Sequence, residues 1–273
     1  MRGITWLIPL MAGVVAACST AGATARPTDA PTATRTTPVE LVVFAAASLR
    51  DAIEAAAATY SEATPGVTIR VSADSSATLR TQIEQGAHAD VFLSADTKNP
   101  QTLVDAGLTD GSSVAFAGST LTIIVPTANP AGIESPEDLA RAGVKVVAAG
   151  DDVPITAYAS RLIDRLAASD GYPAGFAAAV AANVVSQEEN VKAIVTKIAL
   201  GEGDAGIVYV TDARGRDDVT MIPVPNDVNV AATYAGVVVK SSADVAAAHA
   251  LLDWLAGPDG QALLGAFGFR PPG

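Results

Sequence analysis

The residues best placed to do chemistry in this chain carry hydrogen-bond donors rather than nucleophiles. Ala47-Ser48-Leu49 and Ser75-Ser76-Ala77-Thr78 each put a hydroxyl where an apolar run gives way to a helical pattern. Val153-Pro154-Ile155-Thr156 opens a helix with proline, and Glu189-Asn190-Val191 lies in the first turn of another. The first amides of a helix have no acceptor within it, and the helix start carries roughly half an elementary positive charge. Such ends bind anions. Taken singly, Ser48, Ser76 and Ser135 are read more readily as helix caps. Ser135-Pro136-Glu137-Asp138, with proline and acids in the first turn, stays a cap. Tyr209, at a strand end, either packs in the core or turns its hydroxyl into a cleft, and spacing alone does not choose.

Catalytic alternatives are thin. The chain holds two histidines, His88 and His249, both read as surface residues, and one cysteine, Cys18. There is no G-x-S-x-G elbow, no H-E-x-x-H and no Walker loop. Asp151-Asp152 reads as a solvated loop and Gly201-Glu202-Gly203-Asp204 as a turn. The expectation is a binding protein, not an enzyme, with no cofactor; an extracytoplasmic enzyme on a similar fold ranks below it for want of a nucleophile–base pair.

The donors must be positioned by alternating strands and helices. Residues 39–47 form a nearly continuous apolar run, as a buried parallel strand does. A helix from Ser48, with Asp51 three residues on in a near capping box, puts Leu49, Ile53, Ala56, Ala57 and Tyr60 on one face. Pro65-Gly66 turns the chain into strand 67–71. The unit repeats: helix 78–85, strand 90–94, a helix near Pro100, strands 121–125 and 144–149, helix 155–168, helix 187–200, strand 205–210, β-rich 219–223 and 233–240, and closing helices 244–256 and 258–266. The pattern is α/β with parallel-type sheets flanked by helices. It holds too many units for one sheet, so two are expected, with ligands beyond the carboxyl ends of the strands.

The first residues have another character. Arg2 precedes an almost wholly apolar run, 4–17, too short for the roughly 20 residues of a membrane span but suited to a signal peptide, 1–17. Val15-Ala16-Ala17-Cys18 resembles a lipoprotein signal box, which implies cleavage before Cys18 and acylation of its thiol. Residues 18–38, rich in Thr, Ala and Pro, read as a disordered tether reaching roughly 25 Å. Without residues 1–17 the chain keeps 16 basic and 29 acidic residues, a net charge of −13, which argues against nucleic acid as a partner. It does not exclude a small anion, because salt screens such a field within about 8 Å.

Val43-Phe44-Ala45-Ala46-Ala47-Ser48-Leu49, Ser76-Ala77-Thr78-Leu79 with Gln82-Ile83, and Gly86-Ala87-His88-Ala89-Asp90-Val91-Phe92-Leu93-Ser94-Ala95-Asp96 together resemble the periplasmic molybdate-binding proteins of ABC transporters, the type II solute-binding class. Gly150-Asp151 with Val153-Pro154, Glu189-Asn190-Val191, Ala205-Gly206-Ile207-Val208-Tyr209, Gly257-Pro258 and Gly268-Phe269 continue the likeness to about residue 269. The resemblance implies a two-lobed fold: lobe 1 from 39–119 and 233–273, lobe 2 from 120–232, with crossover strands near 117–121 and 228–234. It implies a molybdate oxyanion, with tungstate beside it, held by Ser48, Ser76, the Ile155 and Val191 backbones and the Tyr209 hydroxyl; molybdenum enters only as that oxyanion. Sulfate or another tetrahedral oxyanion is the alternative ligand. The expected partner is an ABC permease, the expected state a monomer, and the location extracytoplasmic, lipid-anchored at the cell membrane. Ile155-Thr156 and Ala77 depart from the family pattern, and the Asp74 side chain, near the anion loop, is expected to face solvent.

Overall fold

The computed structural model describes residues 38–272. The predicted signal peptide, Cys18 and the tether up to residue 37 lie outside the described residues.

Among the described residues, ten strands and nine α-helices follow in chain order: β1 (Val39–Ala46), α1 (Arg50–Ala63), β2 (Val67–Asp74), α2 (Ser76–Glu84), β3 (Val91–Ser94), α3 (Lys98–Asp105), β4 (Thr109–Ser119), β5 (Leu121–Pro126), β6 (Val146–Ala149), α4 (Pro154–Ala167), α5 (Phe176–Ala182), β7 (Val184–Glu188), α6 (Val191–Ala199), β8 (Ala205–Tyr209), α7 (Val210–Ala213), β9 (Val219–Ile222), β10 (Ala232–Val239), α8 (Val245–Ala256) and α9 (Pro258–Ala266). Short 3-10 turns at Ala47–Leu49 and Pro136–Ala140 precede α1 and β6.

The strands make two five-stranded sheets, β2-β1-β3-β10-β4 and β7-β6-β8-β5-β9. With their helices they are the two lobes of a periplasmic-binding-protein fold. Each sheet is mixed rather than purely parallel. In the first, β1 pairs in parallel with β2 and β3, while β10 runs antiparallel to β3 and β4. In the second, β6 is parallel to β7 and β8, while β5 is antiparallel to β8 and β9. The antiparallel strands are those that leave one sheet or enter the other. The first passage is at Thr120, between β4 and β5, and the second spans 223–231, overlapping the expected 228–234. Asn229 stitches the two passages together: its amide donates to the Leu121 carbonyl (2.9 Å) and its carbonyl accepts from the Leu121 amide (3.1 Å).

β1 and β3 are buried along nearly their whole length, as strands covered on both faces must be. One face of the first sheet buries Val42, Phe44, Phe92 and Val237 against Leu79, Ile83 and Leu103 of α2 and α3. The larger core runs through both lobes. In the second sheet Gly206 lets α6 approach: a Cβ there would meet Ile194 Cγ2 at 2.6 Å.

Three readings change. Strand β4 carries Gly111, Ser112, Ser113 and Gly118 and so gives no strand signal over 109–116, which has no assigned element in the sequence pattern. Helix α5 went unread because its FAAAVAA run has little amphipathic pattern. Gln187 and Glu188 continue β7 instead of opening a helix, because Asn190 caps α6 by accepting from the Ala193 amide at 3.1 Å. Asp74 is only partly exposed, stays outside the lining of the anion cavity as expected, and also accepts from the Ser75 amide at 2.7 Å, a local bond at the strand-to-helix turn.

Candidate functional site

The carboxyl ends of β1, β6, β7 and β8 and the start of α2 converge on one small cavity. Ser48, Ser76, Ile155, Val191 and Tyr209, the five residues singled out in the sequence, all line it. It offers about 10 Å³ to the centre of a water-sized sphere, far below the 300–1,000 Å³ of pockets for drug-sized ligands. Its contents are therefore limited to a few heavy atoms. No acidic or basic side chain is among the described residues that line it.

Each donor is prepared locally. Ser48 sits in the 3-10 turn before α1 and makes no cap bond; its Oγ is buried without a partner. The cap reading therefore fails for Ser48, whereas Ser135 does share a capping box with Asp138. Ser76 Oγ accepts from the Ala95 amide at 3.1 Å, so its own proton is free to point elsewhere. Pro154 at the first position of α4 has no N–H, which makes Ile155 the leading amide of that helix. The Thr156 hydroxyl ties the turn down by donating to the carbonyls of Ala149 (3.1 Å) and Gly150 (2.8 Å). In α6 the Asn190 side chain takes the Ala193 amide and leaves that of Val191. Among the described residues neither the Ile155 nor the Val191 amide donates to a backbone acceptor.

The Tyr209 hydroxyl is buried and unpartnered. Burial raises its pKa well above the ordinary phenol value, and Tyr234, Tyr158 and Asp212 push it the same way, so it stays protonated and a donor. Tyr209 is gripped by Tyr158 and Tyr234, with ring centroids 6.0 and 5.5 Å away. The site therefore combines hydroxyls, free amides and the ends of α2, α4 and α6, all positive in sign. A buried donor without an acceptor is costly, and several in one place call for a ligand that only accepts.

Sequence reading passed over Ser75, which also lines the cavity and whose Oγ is likewise buried and unpartnered; the adjacent hydroxyl in Ser75-Ser76 was the available signal. It also passed over Tyr234, whose buried hydroxyl has no partner, and over a charged group at Asp51, Lys192 and Asp212.

Two other features are not this site. A cavity of about 370 Å³ under α4 and α5 is walled mainly by Val147, Ile163, Val180 and Ile207 and gathers no comparable set of donors. Residues 201–206 match the spacing G-x-G-x-x-G. They run from the turn after α6 into the start of β8, however, whereas a dinucleotide loop runs from a strand into a helix. Gly203 is there for packing, since a Cβ would meet Val147 Cγ2 at 2.4 Å. Among the described residues no cluster of His, Cys, Asp and Glu could hold a metal ion.

Known proteins resemble this chain in sequence and fold. Residues 41–270 match the family model described as bacterial extracellular solute-binding protein. The chain is 33% identical over 270 residues to the molybdate-binding protein ModA of Mycobacterium tuberculosis, covering 97% of this chain and 99% of that one. The fold is that of the Azotobacter vinelandii periplasmic molybdate-binding protein (TM-score 0.72, 23% identity, 85% of this chain and 100% of that one). It is also that of the sulfate-binding protein SubI of Mycobacterium tuberculosis (TM-score 0.75, 23% identity, 85% and 87%). The chain belongs to the bacterial extracellular solute-binding protein family, with molybdate-binding proteins among its relatives.

Proposed function

We propose that the chain captures molybdate, and tungstate in the same way, between its two lobes and delivers it to an ABC permease. The observation that carries this reading is the set of neutral donors around one cavity with no carboxylate among them. Molybdate is a dianion with acceptors and no proton, so donor-only contacts suit it and a carboxylate would repel it. Ser48, Ser76 and Tyr209 give hydroxyls, and Ile155 and Val191 give amides at helix starts. Fixed dipoles hold the charge without burying a full counter-ion, which would cost several kcal/mol in desolvation. Anchoring by an acylated Cys18 and a tether reaching residue 38 keeps a monomer near its permease.

Calorimetry and thermal unfolding with molybdate, tungstate, sulfate and phosphate test the reading. Molybdate at 100 times its dissociation constant should add about 2.7 kcal/mol of stability. A response to sulfate alone would reassign the ligand, and no response to any of the four would remove the proposal.

A further inference from the structure

We infer that Lys192 is a positioning residue that clamps the cleft and sets the gap its donors must span. Lys192 follows the candidate donor Val191 in the first turn of α6. Its Nζ donates to Asp51 Oδ2 at 3.0 Å. Asp51 lies in α1, which packs on the first sheet, three residues after the candidate donor Ser48. Among the described residues this is the only ion pair that joins one lobe to the other. It ties together the two turns that carry a hydroxyl on one wall and an amide on the other.

A third group keeps the ammonium in place. Asp212 Oδ1 lies 3.8 Å from Lys192 Nζ, and its carboxylate is buried with neither oxygen hydrogen-bonded. Lys192, itself mostly buried, thus has a carboxyl of its own lobe beside it, which attracts the ammonium once it is ionised, above about pH 7. Asp51 is exposed and is the partner that closure brings in. An exposed pair with two free side chains contributes little, because ordering both costs entropy. Here one partner is already ordered by a carboxylate on its own lobe, so closure has only Asp51 to fix.

The clamp rests on the oxyanion reading for its ligand but not for its geometry, and the experiment separates the two. Lys192→Met, Asp51→Asn, the double variant and Lys192→Arg are compared by stopped-flow release of molybdate and by small-angle scattering of the ligand-free protein. Each single loss should speed release about fivefold, the double variant should be no faster than either single one, and Lys192→Arg should recover most of the slow rate. Both losses should also raise the ligand-free radius of gyration. Asp51→Asn, at an exposed position, keeps the test valid if Lys192→Met folds poorly by orphaning Asp212. Additive effects, or an Asp51→Asn release rate and radius equal to wild type, would overturn the clamp. If wild type binds no oxyanion but the variants still expand, the function fails and the clamp stands.

Discussion

The two walls of the cavity present their donors by different means. The first, from β1, α2 and the residue after β3, uses side chains: Ser48, Ser75 and Ser76. The second, from the starts of α4 and α6 and the end of β8, uses the Ile155 and Val191 amides with one side chain, Tyr209. Side-chain donors are specified by residue type and removed by a single substitution. Backbone donors depend on where a helix begins, and so on Pro154 and Asn190, which touch the ligand only indirectly. The second wall should then tolerate change at the donor residue itself, provided the N–H and the helix start survive.

The largest expected effect separates the walls by charge. The second lobe buries Asp212, whose pKa burial raises to about 7 from 3.8, with Lys192 pulling it down and Asp51 pushing it up. The unfolded chain gives up this proton near pH 4 and the folded one only near pH 7. The stability from this group is therefore whole below about pH 4 and is lost as pH rises to about 7. At 1.36 kcal/mol per unit the loss is on the order of 4 kcal/mol. Urea unfolding of wild type and Asp212→Asn at several pH values should show the variant gaining on wild type across that window. A constant difference would mean that the carboxylate ionises normally, and that its burial is relieved.

Next is the second wall's amide. Val191→Pro deletes the N–H at the first position of α6, where proline fits, and Asn190 before it is already extended at φ −158°, ψ 170°. The fold should survive while molybdate affinity falls by about 3 kcal/mol, the upper range for a hydrogen bond to charge. Titration calorimetry checks it, and a loss below twofold would place the anion away from α6.

The first wall should respond in two ways. Ser48→Ala and Ser76→Ala should each weaken molybdate by about 1.5–2 kcal/mol. Ser48 Oγ has no partner, so its removal should leave the ligand-free protein as stable or more so. Ser76 Oγ accepts from the Ala95 amide, so its removal strands a buried N–H and should cost about 1–3 kcal/mol of folding stability. Equal melting temperatures for the two variants would contradict this division of labour.

The difference between the walls also explains what could be read in advance. Hydroxyls at strand-to-helix junctions and a proline-led helix are local signals, so Ser48, Ser76 and Ile155 could be marked, and all five marked residues do surround one cavity. Alternation of apolar runs with helical patterns pointed to two sheets, but not to the antiparallel course of β5 and β10, which depends on where the chain passes between them. Strand β4 hid behind its glycines and serines because pairing with β10, not propensity, makes it a strand. The Lys192–Asp51 pair spans 141 positions; no periodicity or motif reports a contact made by folding one lobe against the other.

The smallest expected effect is the sharpest test of the backbone wall. Ile155 departs from the family pattern, yet its contribution to the site is an amide, and its side chain also lines the apolar cavity under α4. Ile155→Val removes one methyl from a buried chain and should cost about 0.5–1.5 kcal/mol of stability. The helix start set by Pro154, and with it the amide, is unchanged. Molybdate affinity should therefore stay within about twofold, and so should its ratio to sulfate, measured side by side by calorimetry. A tenfold change in either would mean that the Ile155 side chain shapes the anion cavity itself. The second wall would then select its ligand by side-chain bulk, as the first does by hydroxyl placement, and the contrast between the walls would disappear.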